Sequence, residues 1–296
     1  MMRCHLLFLL PALCVSIASA ADPPPGLEKA PGLIERARPK TDGHWGEEAV
    51  GFRWEEIDSR DARWNHMQTG PFMTSALTVP GETVTRALSI RVGPQRKAAV
   101  CYDLTTMKLC CGWTGGFLNY TPARYGLIAP PEIAGNLHFD TPGGPAWGNS
   151  TVEYRGLYLH GQRVVLSYSV DDVNVLDSPW LDRHEESTQF LRTLQVAASD
   201  EPLMLTVANP GTRVTIIGGS DSVTLTSNSD RPVTLRIAAR QQDVRFTLAI
   251  AGSGSPDDHA RLAAGLEKPE DLQPLTRPGP PLWDQPVVTT GQVSPR

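Results

Sequence analysis

The chain holds 296 residues, 40% hydrophobic and 20% charged, a balance that allows a sizeable core and excludes a disordered or fibrous protein. With 27 Lys and Arg against 32 Asp and Glu the formal net charge is -5, so no broad basic field exists for phosphate backbones, and nucleic acid is not an expected partner. The 26 glycines and 26 prolines favour many turns over long helices, which argues against helical bundles and coiled coils.

Residues 1–20 read as a signal peptide. Arg3 precedes the apolar run Leu6 to Ile17, and Ala18-Ser19-Ala20 supplies small residues ahead of cleavage before Ala21. That run holds about twelve residues where a membrane span needs roughly 20, so export is expected rather than anchoring. Leu13 stands before Cys14 where lipidation needs a small residue, and no later stretch is long and apolar enough to cross a bilayer. The expected destination is the periplasm or the extracellular space. Cleavage would remove Cys4 and Cys14 and leave Cys101, Cys110 and Cys111. In an oxidising compartment the expectation is one disulfide, from Cys101 to Cys110 or Cys111, with the third thiol free or buried. A vicinal Cys110-Cys111 bridge is the strained alternative. The chain has no CxxC pair, HxxxH or CxxCH, so no metal site and no haem attachment of its own is expected.

Residues 21–44, with Pro23, Pro24, Pro25, Pro31 and Pro39, read as an extended lead-in. From 45 to 268 the pattern is that of strands. Short apolar runs occur at Phe72 to Val79, Val84 to Val92 and Ala98 to Asp103. A hairpin joins Gly156 to His160 with Val164 to Val170 through Gly161-Gln162. Val164, Leu166, Tyr168 and Val170 alternate with Val165, Ser167 and Ser169, which puts an apolar row on one sheet face. Further runs span Gln189 to Ala197, Leu203 to Ala208, Arg213 to Ile217, Val223 to Thr226, Val233 to Ala239 and Val244 to Ala251. The last five predict a meander between Pro202 and Ala251. Ser255, Pro256, Asp257 and Asp258 start a short helix that Gly265 can end. Residues 269–296, crowded with proline, read as a linker or truncated tail. Many strands without crossover helices predict an all-β fold, an antiparallel β-sandwich or large supersandwich with one short C-terminal helix.

Each candidate for chemistry has a structural alternative. Trp64 and His66 precede the first clear run, where an indole and an imidazole can hold a sugar or an aromatic ring; an entry turn is the alternative. Trp113 stands among Gly112, Gly115 and Gly116, glycines that permit a bulge or close backbone approach. His160 and Asp103 could share acid/base work if they met in a cleft, whereas alone they read as a hairpin tip and a turn former. Asp171-Asp172 and Asp177 flank a predicted turn but lack a calcium-loop spacing. Arg192 interrupts an apolar run, either as a buried anchor for a carboxylate or as an outward-facing residue.

Three motifs carry a resemblance: WNHMQTGPF at Trp64 to Phe72, GWTGGFL at Gly112 to Leu118, and RGLYLHGQRVVLSYSV at Arg155 to Val170. From about Trp54 to Trp283 the chain resembles an uncharacterised domain of planctomycetes and Verrucomicrobia, one found in the N-terminal part of large secreted proteins. Those relatives often continue into c-type cytochrome modules, and their counterpart of Gln68 is often acidic. The resemblance implies a module of an extracytoplasmic redox protein, with a c-type cytochrome domain or protein as partner.

The primary expectation is an exported, non-catalytic β-domain that binds a ligand, polysaccharide among the candidates, and positions a cytochrome. One alternative is a carbohydrate-active enzyme of mutarotase or lyase type using His160 and Asp103. The other is a structural domain of the cell envelope. Convergence of Trp64, His66, Trp113, His160 and Arg192 on one concave face would favour binding or catalysis.

Overall fold

The computed structural model describes residue 65 and residues 70–121, 128–184, 187–252, 254–266 and 268–277. The expected signal peptide and lead-in, together with Trp64, His66 and Gln68, lie outside the described residues.

Among the described residues sixteen strands form three sheets. The first combines β1 (Phe72–Val79), β2 (Glu82–Val92), β3 (Ala98–Asp103), β4 (Lys108–Thr114), β5 (Leu118–Asn119), β6 (Glu132–Ile133) and β7 (Asn136–Asp140), in the order β5-β6-β1-β2-β3-β4-β7. The second takes β8 (Val152–His160), β9 (Arg163–Val170), β10 (Val173–His184), β11 (Ser187–Val196), β13 (Val214–Gly218) and β16 (Val244–Ala251), in the order β13-β16-β11-β10-β9-β8. The third joins β12 (Leu203–Ala208), β14 (Val223–Thr226) and β15 (Val233–Ile237), with β15 in the middle. Among the described residues the pairings are antiparallel except the short contact of β1 with β6. The expected all-β sandwich is therefore the observed architecture.

Side-chain alternation explains the layers. On β3, Ala98, Val100 and Tyr102 enter a large core shared with Val164, Leu166, Tyr168 and Val170 of β9 and Leu205 and Leu235 of the third sheet. Ala99 and Cys101, of opposite parity, join a second cluster with Leu77, Cys110, Cys111, Trp113 and Phe117. The first sheet is thus apolar on both faces, and so β3 reads as an unbroken apolar run.

Several expectations change in the folded chain. The five strands between Pro202 and Ala251 exist but do not form a meander. β16 pairs with β11 from Gln189↔Ala251 to Val196↔Val244, and β13 pairs with β16, while the other three leave for the third sheet. Alternation fixes the face a strand buries, not its neighbour. Asp177 does not flank a turn; it lies within β10, a strand concealed in the sequence by Pro179. The pairing of β10 with β9 ends at Asp177↔Leu166, so Pro179 falls where that flank needs no further ladder bond. Asp171 and Asp172 alone form the turn between β9 and β10, both at positive φ (46° and 68°), which suits the twist of a two-residue hairpin.

The predicted helix forms as α1 (Pro256–Ala264) and packs on β10 and β11. The start of the supposed linker is docked. Leu272 is fully buried, and its N–H donates to Gln195 Oε1 at 3.3 Å. Glu270 pairs with Arg163 at 2.7 Å and Asp271 with Arg245 at 3.5 Å. A 3-10 turn at Pro274–Thr276 then lies on β8 and β9. Proline content marked this stretch as a linker, but one apolar anchor preceded by two ion-paired acidic residues is enough to seat it.

Candidate functional site

A hydrogen-bonded polar constellation is sealed inside the fold. Arg192 shares its strand parity with the core residues Phe190, Leu194 and Val196, which forces the guanidinium between the sheets. Asp177 faces it diagonally from β10, and Arg192 Nε and Nη2 donate to Asp177 Oδ2 at 3.0 and 2.7 Å. Tyr102 of β3 and Tyr168 of β9 donate to the two carboxylate oxygens at 2.9 and 3.1 Å. The four side chains are at most 1% exposed. Burial, followed by the Asp177 charge, pushes both phenols well above the ordinary tyrosine range. For Arg192 burial works downward, but Asp177 and the two phenols outweigh it, and the net direction is up. Arg192 is thus the buried carboxylate anchor rather than an outward-facing or ligand-binding residue. The quartet ties three strands of the second sheet to β3 of the first.

Among the described residues, Asp103, His160 and Trp113 do not converge. Asp103 ends β3 and caps the following turn, accepting from Thr105 N–H at 2.8 Å and Thr106 Oγ1 at 2.9 Å. His160 ends β8 in the other sheet, where Nδ1 lies 3.2 Å from Arg277 O. No hydrogen bond or ion pair joins them. Trp113, expected at a ligand site, is wholly buried, with Nε1 donating to Phe117 O at 2.9 Å. Its neighbouring glycines serve packing. A Cβ on Gly112 would meet the Phe139 ring at 2.3 Å, and one on Gly116 would meet Ala134 O at 2.4 Å. Cys101, Cys110 and Cys111 are buried free thiols, so the expected disulfide is not formed in this structure. Among the described residues no three His, Cys, Asp or Glu side chains group to hold a metal ion.

An open site lies at one end of the sandwich. A cleft of about 350 Å³ is lined by Val92, Gly93, Pro94, Gln95, Lys97, Leu181 and Arg183. Its floor is the turn between β2 and β3, closed by Arg96 N–H donating to Gly93 O at 3.0 Å. Gly93 adopts φ 86° with its Cα against Leu181, where an added Cβ would sit at 3.2 Å. Arg96 holds φ 52°, an unusual conformation for a long side chain, and its buried Nε has no hydrogen-bond partner among the described residues. Arg91 stacks 3.9 Å over Phe117, and burial together with the Arg96 charge lowers its pKa. Lys97 and Arg183 therefore stand at an end already crowded with positive charge. Leu181 and Arg183 face the cleft by parity, while Asp182 turns to the other face.

The opposite end of β10 carries the opposite charge. A groove of about 550 Å³ is lined by Asp171, Asp172, Asn174, Asp200 and Glu201 among others. Twelve strand residues separate the two ends, roughly 36 Å at the usual rise. Sequence reading missed the cationic cleft because its charges, Lys97 and Arg183, come from a turn and from a strand 86 positions later.

The fold and the cleft define an all-β sandwich with charge-separated ends. Residues 100–177 match the family model described as a domain of unknown function (DUF6797), a stretch that holds the three cysteines, Tyr102, Tyr168 and Asp177. No curated protein and no solved structure matches the chain.

Proposed function

We propose that the chain is an exported, non-catalytic β-sandwich module that binds an anionic ligand, acidic polysaccharide being the class, and docks an extracytoplasmic c-type cytochrome. The observation that carries the ligand reading is the cleft at Gly93 to Lys97. It is concave, backed by Leu181, and presents the exposed Lys97 with no carboxylate among its described lining residues. A sugar ring can lie on the apolar wall while its carboxylate meets the Lys97 ammonium. The enzymatic alternative has little support from geometry, since Asp103 is committed to its turn and His160 stands in the other sheet. The cytochrome part rests on the motif likeness and on the acidic groove, which would complement a positively charged partner surface.

The test is affinity electrophoresis of the full chain in gels containing polygalacturonate or neutral dextran. Retardation by the acidic polymer alone is expected. It should fade with added salt, because exposed charges are screened over about 10 Å at 0.1 M, and fall about tenfold in Lys97→Glu. Equal migration in both gels overturns the ligand reading. Failure to retain periplasmic c-type cytochromes on the immobilised chain overturns the docking one, and failure of both leaves a structural envelope domain, a role consistent with the separation of Trp113 from His160.

A further inference from the structure

Residues 268–277 lie on the outer face of the second sheet, the face turned away from the shared core. On that face Ser178 of β10 stands beside Thr193 of β11, and Thr193 beside Thr247 of β16, so three buried hydroxyls form a row across three strands. The Thr193 and Thr247 hydroxyls are 2.9 Å apart, and Ser178 Oγ accepts from Arg163 Nη2 at 3.1 Å. The Arg163 guanidinium lies 4.7 Å over the half-buried Trp180 ring. Gln195 and Arg245 are cross-strand neighbours on the same face. Hydroxyls, an amide, two guanidinium groups and an indole together make the donor set that holds a sugar bearing a carboxylate.

The strap supplies carboxylates to these same groups. Glu270 meets Arg163 at 2.7 Å and Asp271 meets Arg245 at 3.5 Å, although the two arginines spring from strands three ladder steps apart, roughly 14 Å. Leu272 is the one buried side chain of residues 268–277, and its N–H donates to Gln195. The fit is incomplete, since Arg163 Nε is buried with no hydrogen-bond partner among the described residues. We propose that this face is a second binding site, for uronic-acid residues of an acidic oligosaccharide, and that residues 268–277 fill it as an internal ligand which the sugar displaces. Sugar carboxylates replace Glu270 at Arg163 and Asp271 at Arg245, ring hydroxyls replace the strap backbone at Gln195, and a sugar face covers Trp180. The ligand class is that proposed for the cleft at Gly93 to Lys97, but the residues lie on the opposite face of β10, so either site can fail alone.

The full chain and its Lys97→Glu variant, which disables the cleft, are titrated with tetragalacturonate by calorimetry and followed by amide exchange. Saturating ligand is expected to speed exchange at residues 268–277 in both, while the amides of β11 and β16 keep their protection. Leu272→Ala in the Lys97→Glu background should bind about tenfold more tightly, because an internal competitor raises the apparent Kd by the inverse of the open fraction. Adding Trp180→Ala or Arg163→Gln should remove that gain. Should Leu272→Ala strip protection from β11 and β16, Glu270→Gln/Asp271→Asn takes its place with the same tightening expected. Strap exchange unchanged by ligand, no tightening once the strap is loosened, a gain that survives Arg163→Gln, or equal release by neutral maltotetraose overturns the proposal. So does release by a peptide of residues 268–277 but not by tetragalacturonate, which would mark strap exchange between copies. Binding that vanishes in Lys97→Glu upholds the cleft and overturns the strap site; binding and strap release that persist there uphold the strap site whatever becomes of the cleft.

Discussion

Asp177→Ala removes the one carboxylate that serves four hydrogen bonds in the core, from Tyr102, Tyr168 and twice from Arg192. The guanidinium would keep only Met107 O, at 3.5 Å, and Nη1 has no partner among the described residues even in the intact chain. An uncompensated charge of this kind costs about 3–5 kcal/mol, because water cannot follow it between the sheets. At about 2–4 °C per kcal/mol for a domain of this size, the melting temperature should fall by roughly 10 °C. With an m-value of about 2 kcal/mol/M the urea midpoint should fall by roughly 2 M. The double variant Asp177→Leu/Arg192→Met removes both charges and should recover to within about 1 kcal/mol of the original. The assay is urea unfolding followed by tryptophan fluorescence. A single variant within about 1 kcal/mol of the original, or a double variant no better than the single, would refute the assignment of a buried charged pair.

Other outcomes follow from the same geometry. The phenols of Tyr102 and Tyr168 are raised above their ordinary value of 10.0, so the folded state keeps protons that the unfolded chain releases. Their contribution is complete below about pH 10 and is lost as pH rises beyond it; urea midpoints across that range should drop, less steeply in Tyr168→Phe. Gly135 sits at φ 129°, and a Cβ there would meet Thr114 O at 2.1 Å. Gly135→Ala should cost about 1–3 kcal/mol or more, whereas Gly143→Ala, with open space around it, should stay within about 0.5 kcal/mol by the same melts. Leu272→Ala should release residues 268–277, read as faster amide exchange there, while the amides of β11 and β16 keep their protection.

Strand positions were largely legible because burial repeats every second residue. The runs at Phe72 to Val79, Ala98 to Asp103 and Val244 to Ala251 coincide with β1, β3 and β16. β4 was hidden because Cys110, Cys111 and Gly112 resemble a loop, although a bulge and a close-packed ring require them in a strand. The alternation around Arg192 marks it as anomalous, but its partner Asp177 stands in the sequence close to the Asp171-Asp172 turn and before Pro179, which hides its strand. The site residues Trp64 and His66 lie outside the described residues, and His160, Asp103 and Trp113 are distributed among separate tasks.

The chain alone determined the all-β class, the hairpin turns and the short helix, since these follow from local alternation, positive-φ turn residues and capping. Tertiary structure decided what local pattern cannot carry. Tyr102 reaches Asp177 across 75 positions, and the cleft joins Lys97 to Arg183. Such pairings depend on which sheet faces which, and they are set by burying one shared core rather than by any neighbouring residues.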